Sequence, residues 1–219
     1  MGITVITGAS RGIGLELATQ MKARGANVVG VCRKPSKALE ALGVRIESGI
    51  DVAEAKAVAE LKKRLAGETI DLLINNAGIL DHDSLPSPNF EGIERQFAVN
   101  ALGPLRVTAA LAPLFSANAK VIIITSRMGS MGDNGSGGYY GYRMSKAAVN
   151  AAGVSLARDL GARGIAVALI HPGMVNTEMT GNGIEPRVSV EGILKRVDEL
   201  TPDNSGRFLH AVTGEDLPW

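Results

Sequence analysis

Tyr142 and Lys146 stand four residues apart in Tyr-Arg-Met-Ser-Lys, a spacing that puts both side chains on one face of a helix. An ordinary phenol titrates near ~10. A protonated lysine one turn away stabilises the phenolate, which suits the pair to general acid/base work near neutral pH. Tyr139 and Tyr140 are competing phenols, but their fourth neighbours are Arg143 and Met144, so Tyr139 with Arg143 is the inferior alternative. Ser126 follows an apolar run, and a hydroxyl there can hydrogen-bond a substrate oxygen as charge develops on it. Taken alone, a serine at a strand end is a cap or turn residue. The Gly- and Ser-rich stretch 127–141 joins Ser126 to Tyr142, so it must border any site the two share, although its composition alone reads as a surface loop.

A second group of residues reads as an anion site. Thr7-Gly8-Ala9-Ser10-Arg11-Gly12-Ile13-Gly14 follows the first strand-like run, and a helical pattern opens at Ile13. Glycines at a strand-to-helix junction let backbone approach a pyrophosphate, and the helix N-terminus supplies donors and a positive dipole. The spacing is GxxxGxG, so the placement rather than the glycine count points to a dinucleotide. About 20 residues past the last glycine, NAD-binding folds place an acid against the ribose 2′-hydroxyl. Here Arg33-Lys34 stands instead, and Arg11 within the turn can approach the same ribose. Cations around a 2′-oxygen favour a phosphate there, so the expected cofactor is NADP(H) ahead of NAD(H). Asn75-Asn76-Ala77-Gly78, Asp51-Val52 and Pro172-Gly173, with Thr177 beyond, each follow a strand-like run, where ligands of open α/β sheets bind. Asn100 is an unusual choice inside a long helical pattern.

These residues need a frame. Compact apolar runs at 3–7, 27–32, 44–47, 71–74, 120–125 and 165–170 read as parallel strands covered on both faces. Amphipathic stretches at 13–24, 36–42, 53–66, 92–115 and 142–162 lie between them, and Val190–Glu199 followed by Gly206–Leu209 predicts one more helix and an edge strand. Such alternation implies right-handed βαβ units in a doubly wound α/β sheet. No linker, repeat or charge block divides residues 1–219, so a single domain is expected.

Bulk composition narrows the partners. The 23 basic and 22 acidic side chains leave a net charge of +1, without the basic excess of a nucleic-acid binder. No apolar run approaches the ~18 residues needed to span a bilayer, and the N-terminal residues do not read as a signal peptide. The lone Cys32 permits no internal disulfide, which suits a reducing, cytoplasmic setting, and it reads as a small buried filler. His82, His171 and His210 are scattered, without metal-ligand spacing.

Taken together, TGASRGIG (7–14), DV (51–52), NNAG (75–78), Asn100, Ser126, YRMSK (142–146) and HPGMVNT (171–177) make the whole chain resemble the short-chain dehydrogenase/reductase family. The stretch 126–146 and the tail 205–219 resemble sniffer-type carbonyl reductases and C-factor-like proteins. The resemblance implies a seven-stranded parallel Rossmann sheet with helices on both faces. It implies that Tyr142 is the acid/base, that Lys146 lowers its pKa and holds the nicotinamide ribose, that Ser126 orients the carbonyl, and that Asn100 holds a relay water. Cofactor contacts would come from Gly8, Ser10, Arg11, Gly12, Ile13, Gly14, Arg33, Asp51, Val52, Asn76, Ala77, Gly78, Tyr142, Lys146, Pro172, Gly173, Val175 and Thr177. Hydride exchange with a small carbonyl or alcohol substrate follows, in a homodimer paired through the long helices. Only residues 178–189 separate Thr177 from the next helical pattern, a short lid that implies an open pocket. A dinucleotide-binding signalling protein is the alternative, and the intact Asn100–Ser126–Tyr142–Lys146 set argues for the enzyme.

Overall fold

Every side chain of the first strand, β1 (Ile3–Thr7), is buried, as a strand covered on both faces requires. Six more follow: β2 (Asn27–Val31), β3 (Arg45–Glu47), β4 (Ile70–Asn75), β5 (Phe115–Ile124), β6 (Ala166–His171) and β7 (Phe208–His210). The computed structural model describes residues 2–219 and joins these strands, all parallel, in the order β3-β2-β1-β4-β5-β6-β7.

Period-two alternation divides the apolar residues between two cores. Val5, Val29, Leu73 and Ile123 face α3 (Ala55–Arg64), α5 (Gly103–Leu111) and α6 (Tyr140–Gly161), where Val58, Leu61, Val107 and Val149 meet them. Ile6, Val28, Ile74 and Ile122 face the other way, onto α1 (Gly12–Ala23), α2 (Lys37–Ala41) and α7 (Pro186–Glu199), against Leu17, Leu39 and Ile193. The strand order reverses between β1 and β4, so the crevice at their carboxyl ends is the switch point where this architecture binds ligands.

The helical pattern 92–115 is not one helix. It runs as α4 (Phe90–Phe97), a π turn over Ala98–Leu102, α5, and a 3₁₀ turn at Ala112–Leu114. Pro104 explains the break: it has no N–H to give the carbonyl of Asn100 its usual ladder bond. By length and composition the stretch Phe90–Leu114 could cross a bilayer, contrary to the expectation that no run comes close. Its Val107 and Leu111 lie instead in the core, and Arg106 is anchored on the carbonyl of Val52 at 2.8 Å.

Three further boundaries moved. β5 begins at Phe115 rather than 120, since Phe115 already pairs with Ile70 before a register shift. α6 begins at Tyr140, after Tyr139 turns left-handed at φ 52°. α7 begins at Pro186, whose fixed φ suits a first helical turn, so the lid is residues 178–185 and shorter than expected.

Candidate active site

The glycine turn is built by close packing. A Cβ on Gly14 would fall 2.2 Å from the Gly8 carbonyl oxygen and 2.5 Å from Asn76 Nδ2. Gly8 has φ +69°, and a Cβ there would meet Ala77 Cα at 2.8 Å. The turn therefore leans directly on the loop after β4. Asn76 Nδ2 donates to the carbonyls of Thr7 (3.0 Å) and Gly8 (3.2 Å), while Thr7 Oγ1 accepts from the N–H groups of Asn76 and Ala77. Asn76 is thus a brace across the switch point, and the polar contact of its amide is directed at the protein. Thr7, inside the recognised motif but unassigned, is its counterpart.

At the start of α1 no side chain caps the helix and no acid occupies the first turn, so its orphan N–H groups and dipole are left for an anion. Ser10 offers its carbonyl to Ser36 Oγ at 2.6 Å, and Ile13 packs its side chain into the core beneath. Thr177 borders the turn, its methyl 3.3 Å from where a Gly12 Cβ would lie. Pro172 and Val175 are buried; the Pro172 carbonyl accepts from Ser189 Oγ at 2.7 Å. These residues fit a dinucleotide laid over α1.

The candidate 2′-phosphate cations sit in exposed pairs: Arg11 with Glu178 at 2.6 Å, Arg33 with Asp51 at 3.9 Å. Asp51 also accepts the Ala53 N–H. Val52 turns its side chain inward against Gly103, which leaves only its main chain for an adenine.

Ser126 lies just past β5 and accepts the Met128 N–H at 3.1 Å, starting the 3₁₀ turn Arg127–Gly129. Gly129 lets this turn lie on α6, since a Cβ would fall 2.7 Å from the Lys146 carbonyl carbon. That contact brings Ser126 to Tyr142. Burial raises the Tyr142 phenol above its ordinary value, and the nearby Ser126 hydroxyl pulls it partly back. Lys146 Nζ donates to the Ile124 carbonyl at 2.9 Å and lies 5.7 Å from the Tyr142 ring centroid, and burial brings its own pKa down to about 8.

Asn100, fully buried in the π turn, clamps Ile79 by both main-chain groups (2.9 and 2.8 Å) and donates to Ser145 Oγ at 3.1 Å. Both amide protons and the amide oxygen are thus engaged within the protein, and Pro104 cannot give the main-chain carbonyl its usual ladder bond. Gly78 packs beside it, 3.4 Å from Asn100 Oδ1 at its Cβ position.

Asp83 carried no sequence signal, because the groups it bonds are 57 and 58 residues away. Its buried carboxylate accepts the N–H groups of Tyr140 (2.6 Å) and Gly141 (2.9 Å), and its carbonyl accepts that of Tyr139 (3.0 Å). This satisfies orphan donors at the start of α6 and fixes the helix one turn before Lys146. Arg143 ties down the glycine loop through the Gly138 carbonyl and Ser136 Oγ. The loop is therefore a braced wall. Two histidines that look scattered in sequence also meet: His171 and His210, paired across β6 and β7, stack edge to face at 5.2 Å. Burial, then His210, Arg127 and Lys146, lower His171 to about 3. Among the described residues no cluster of three metal-binding side chains forms. Cys32 is buried, and burial raises its thiol pKa, as suits a filler.

A family model described as short chain dehydrogenase matches residues 2–187. The chain is 40% identical, over the full length of both, to 1-hydroxy-2-glutathionyl-2-methyl-3-butene dehydrogenase of Rhodococcus sp. (strain AD45). It is 44% identical to C-signal of Myxococcus xanthus over 68% of this chain and 93% of that one. A short-chain dehydrogenase/reductase structure from Burkholderia multivorans with bound NADP superposes with a TM-score of 0.91 at 31% identity, covering all of both chains. The carbonyl reductase Sniffer of D. melanogaster does so with a TM-score of 0.92 at 26% identity, again over both chains entire. The matched stretch runs unbroken from the glycine turn past Tyr142 and Lys146, and on that ground the chain belongs to the short-chain dehydrogenase family.

Proposed function

We propose that this protein reduces carbonyl compounds (aldehydes, ketones or quinones) to alcohols in the cytoplasm with NADPH, Tyr142 serving as the proton donor. The observation that carries this reading is the convergence of Ser126, just past β5, with Tyr142 and Lys146 one turn apart on α6, where the Gly129 contact with Lys146 seats the Ser126 turn on that helix. A phenol raised above its usual value is an acid at neutral pH, which is the state a nascent alkoxide needs. A reduced nicotinamide bound over α1 supplies the hydride to the carbonyl carbon. Ser126 orients the carbonyl oxygen, and Tyr142 O–H donates its proton to that oxygen. Lys146, with a pKa of about 8, is still largely cationic at neutral pH and favours the phenolate that this leaves. The Asn100 main-chain carbonyl is the acceptor for a water that returns the proton.

NADP is supported by Arg11 and Arg33 at the ribose end and by the NADP carried in the Burkholderia multivorans structure. Similarity to C-signal motivates a second reading, a dinucleotide-binding signalling protein with incidental catalysis. A pure binder has no need of Ser126, Tyr142 and Lys146 in one place, which favours the enzyme. The decisive test is Tyr142→Phe on a panel of carbonyls and, prompted by the Rhodococcus relative, hydroxylated glutathionyl compounds. NADPH titration is expected to be unchanged while turnover falls by about 10³-fold or more. Retention of most activity would reject Tyr142 as the acid and redirect attention to Tyr139.

A further inference from the structure

We propose that the segment Arg207–Trp219 is a strut for the active-site wall, with Trp219 as a positioning residue for the loop that carries Ser126; this rests on the reductase reading above. After β7 the chain turns at Gly214 and doubles back. His210 N–H donates to the Glu215 carbonyl (2.9 Å), Leu217 N–H donates to the Phe208 carbonyl (2.8 Å), and Arg207 forks onto both oxygens of Asp216 (2.8 and 2.5 Å). Leu217 is buried against Leu169 and Phe208. The Trp219 ring then tilts over Phe208, centroids 5.5 Å apart.

This return delivers the Trp219 carbonyl to the active-site loop, where it accepts from Gly132 N–H at 2.9 Å and from Ser130 Oγ at 3.2 Å. Ser130 is itself buried and accepts the Asp133 N–H. At the loop's other end, next to Ser126, Arg127 bridges Asp133 (2.9 Å) and Glu215 (3.3 Å). Residues 127–133 are thereby held from outside at two points, both on the returning segment. Their inner side is the Ser126–Met128 turn and the Gly129 contact with Lys146. A shift of the loop is passed straight to the Ser126 hydroxyl and to α6.

The two attachments are not equal. Arg127 and Glu215 are about half exposed, so water and salt screen their attraction. The Trp219 carbonyl meets a buried hydroxyl and is seated by an aromatic contact, so Trp219 is the point at which the strut should fail. Met131, one residue before the Gly132 attachment, is 77% exposed and Trp219 is 48% exposed, leaving apolar surface on this wall for a carbonyl substrate with bulky apolar substituents.

The experiment measures kcat and KM of Trp219→Ala, Trp219→Phe and Ser130→Ala on small and bulky aryl carbonyls, with NADPH affinity and melting temperature alongside. A positioning role predicts that Trp219→Ala lowers kcat/KM by about ten-fold, more for bulky substrates, at NADPH affinity unchanged within about two-fold, and that Trp219→Phe restores most of it. Ser130→Ala keeps the ring contact and is expected to give a smaller loss in the same direction. Unchanged kcat/KM in Trp219→Ala and Ser130→Ala overturns the proposal, as does a loss explained entirely by lowered melting temperature. Trp219 is the only tryptophan, so its emission reports the strut alone. If wild type turns over no carbonyl, the reductase reading fails, yet the strut is still tested. Ser130→Ala should then red-shift Trp219 emission as the segment loosens, and an unmoved spectrum overturns it.

Discussion

Charge placement at single residues decides what the site can bind and when it reacts. Tyr142 and Lys146 share a helix face as their spacing requires, but burial moves both toward their neutral forms: the phenol up, the amine down to about 8. Sequence reasoning assumed a lysine acting through charge alone and could not see the desolvation, because burial depends on what packs over both groups. Arg33 is exposed and its carboxylate neighbour Asp51 is 3.9 Å away, so it is free to turn toward a 2′-phosphate. Arg33→Asp is expected to weaken NADPH binding by roughly 1.5–3 kcal/mol, the scale of a charge-assisted contact, while NADH binding changes less. Titration of both cofactors against the variant checks this, and equal NADPH affinity would remove the charge argument.

At the scale of elements, glycines matter where two loops touch. Gly14 is the clearest case, since the oxygen of Gly8 lies where its Cβ would be. Gly14→Ala must push the glycine turn off the Asn76 loop. It is expected to cost about 1–3 kcal/mol of stability and to abolish NADPH binding, read by thermal melting and by cofactor fluorescence. The motif and its location were legible from sequence; the reason for this third glycine was not, because Asn76 arrives from a strand 62 residues later in the chain. The break in the 92–115 helix follows the same logic. Asn100 looked out of place as a helix-interior residue, but only the folded helix shows a π turn whose Asn100 side chain clamps Ile79.

For the whole molecule, the histidine pair makes a testable link between packing and pH. His171 has a pKa of about 3 in the fold against 6.5 in an unfolded chain, so the unfolded state binds the extra proton between those values. Stability from this group is complete above pH 6.5 and is lost as pH falls toward 3. By about pH 5 the loss is roughly 1–2 kcal/mol, or about 2–8 °C in melting temperature. His171→Gln is expected to flatten the melting curve's pH dependence over this range; a slope identical to wild type would show that other groups set it. Assembly belongs to the same scale. Leu102, Leu105 and Met144 are exposed along the helical stretch around α5 and on α6, and we expect them to pair in a homodimer. Sedimentation showing a monomer at micromolar concentration would reject that pairing.

What the sequence determined by itself was the set of chemical groups and their local order: a phosphate-sized turn after the first strand, a Tyr–Lys helix face, and alternating strands and helices that admit a doubly wound sheet. These are short-range properties, carried by spacing and hydrophobic period. Tertiary structure alone decided which distant residues complete them. Asp83 caps the helix of Tyr142, Thr7 and Asn76 lock two crossovers, His171 meets His210, and Trp219 holds the loop of Ser126. Each of these contacts joins residues far apart in the chain, and only the strand order of the sheet brings them within hydrogen-bonding or van der Waals reach.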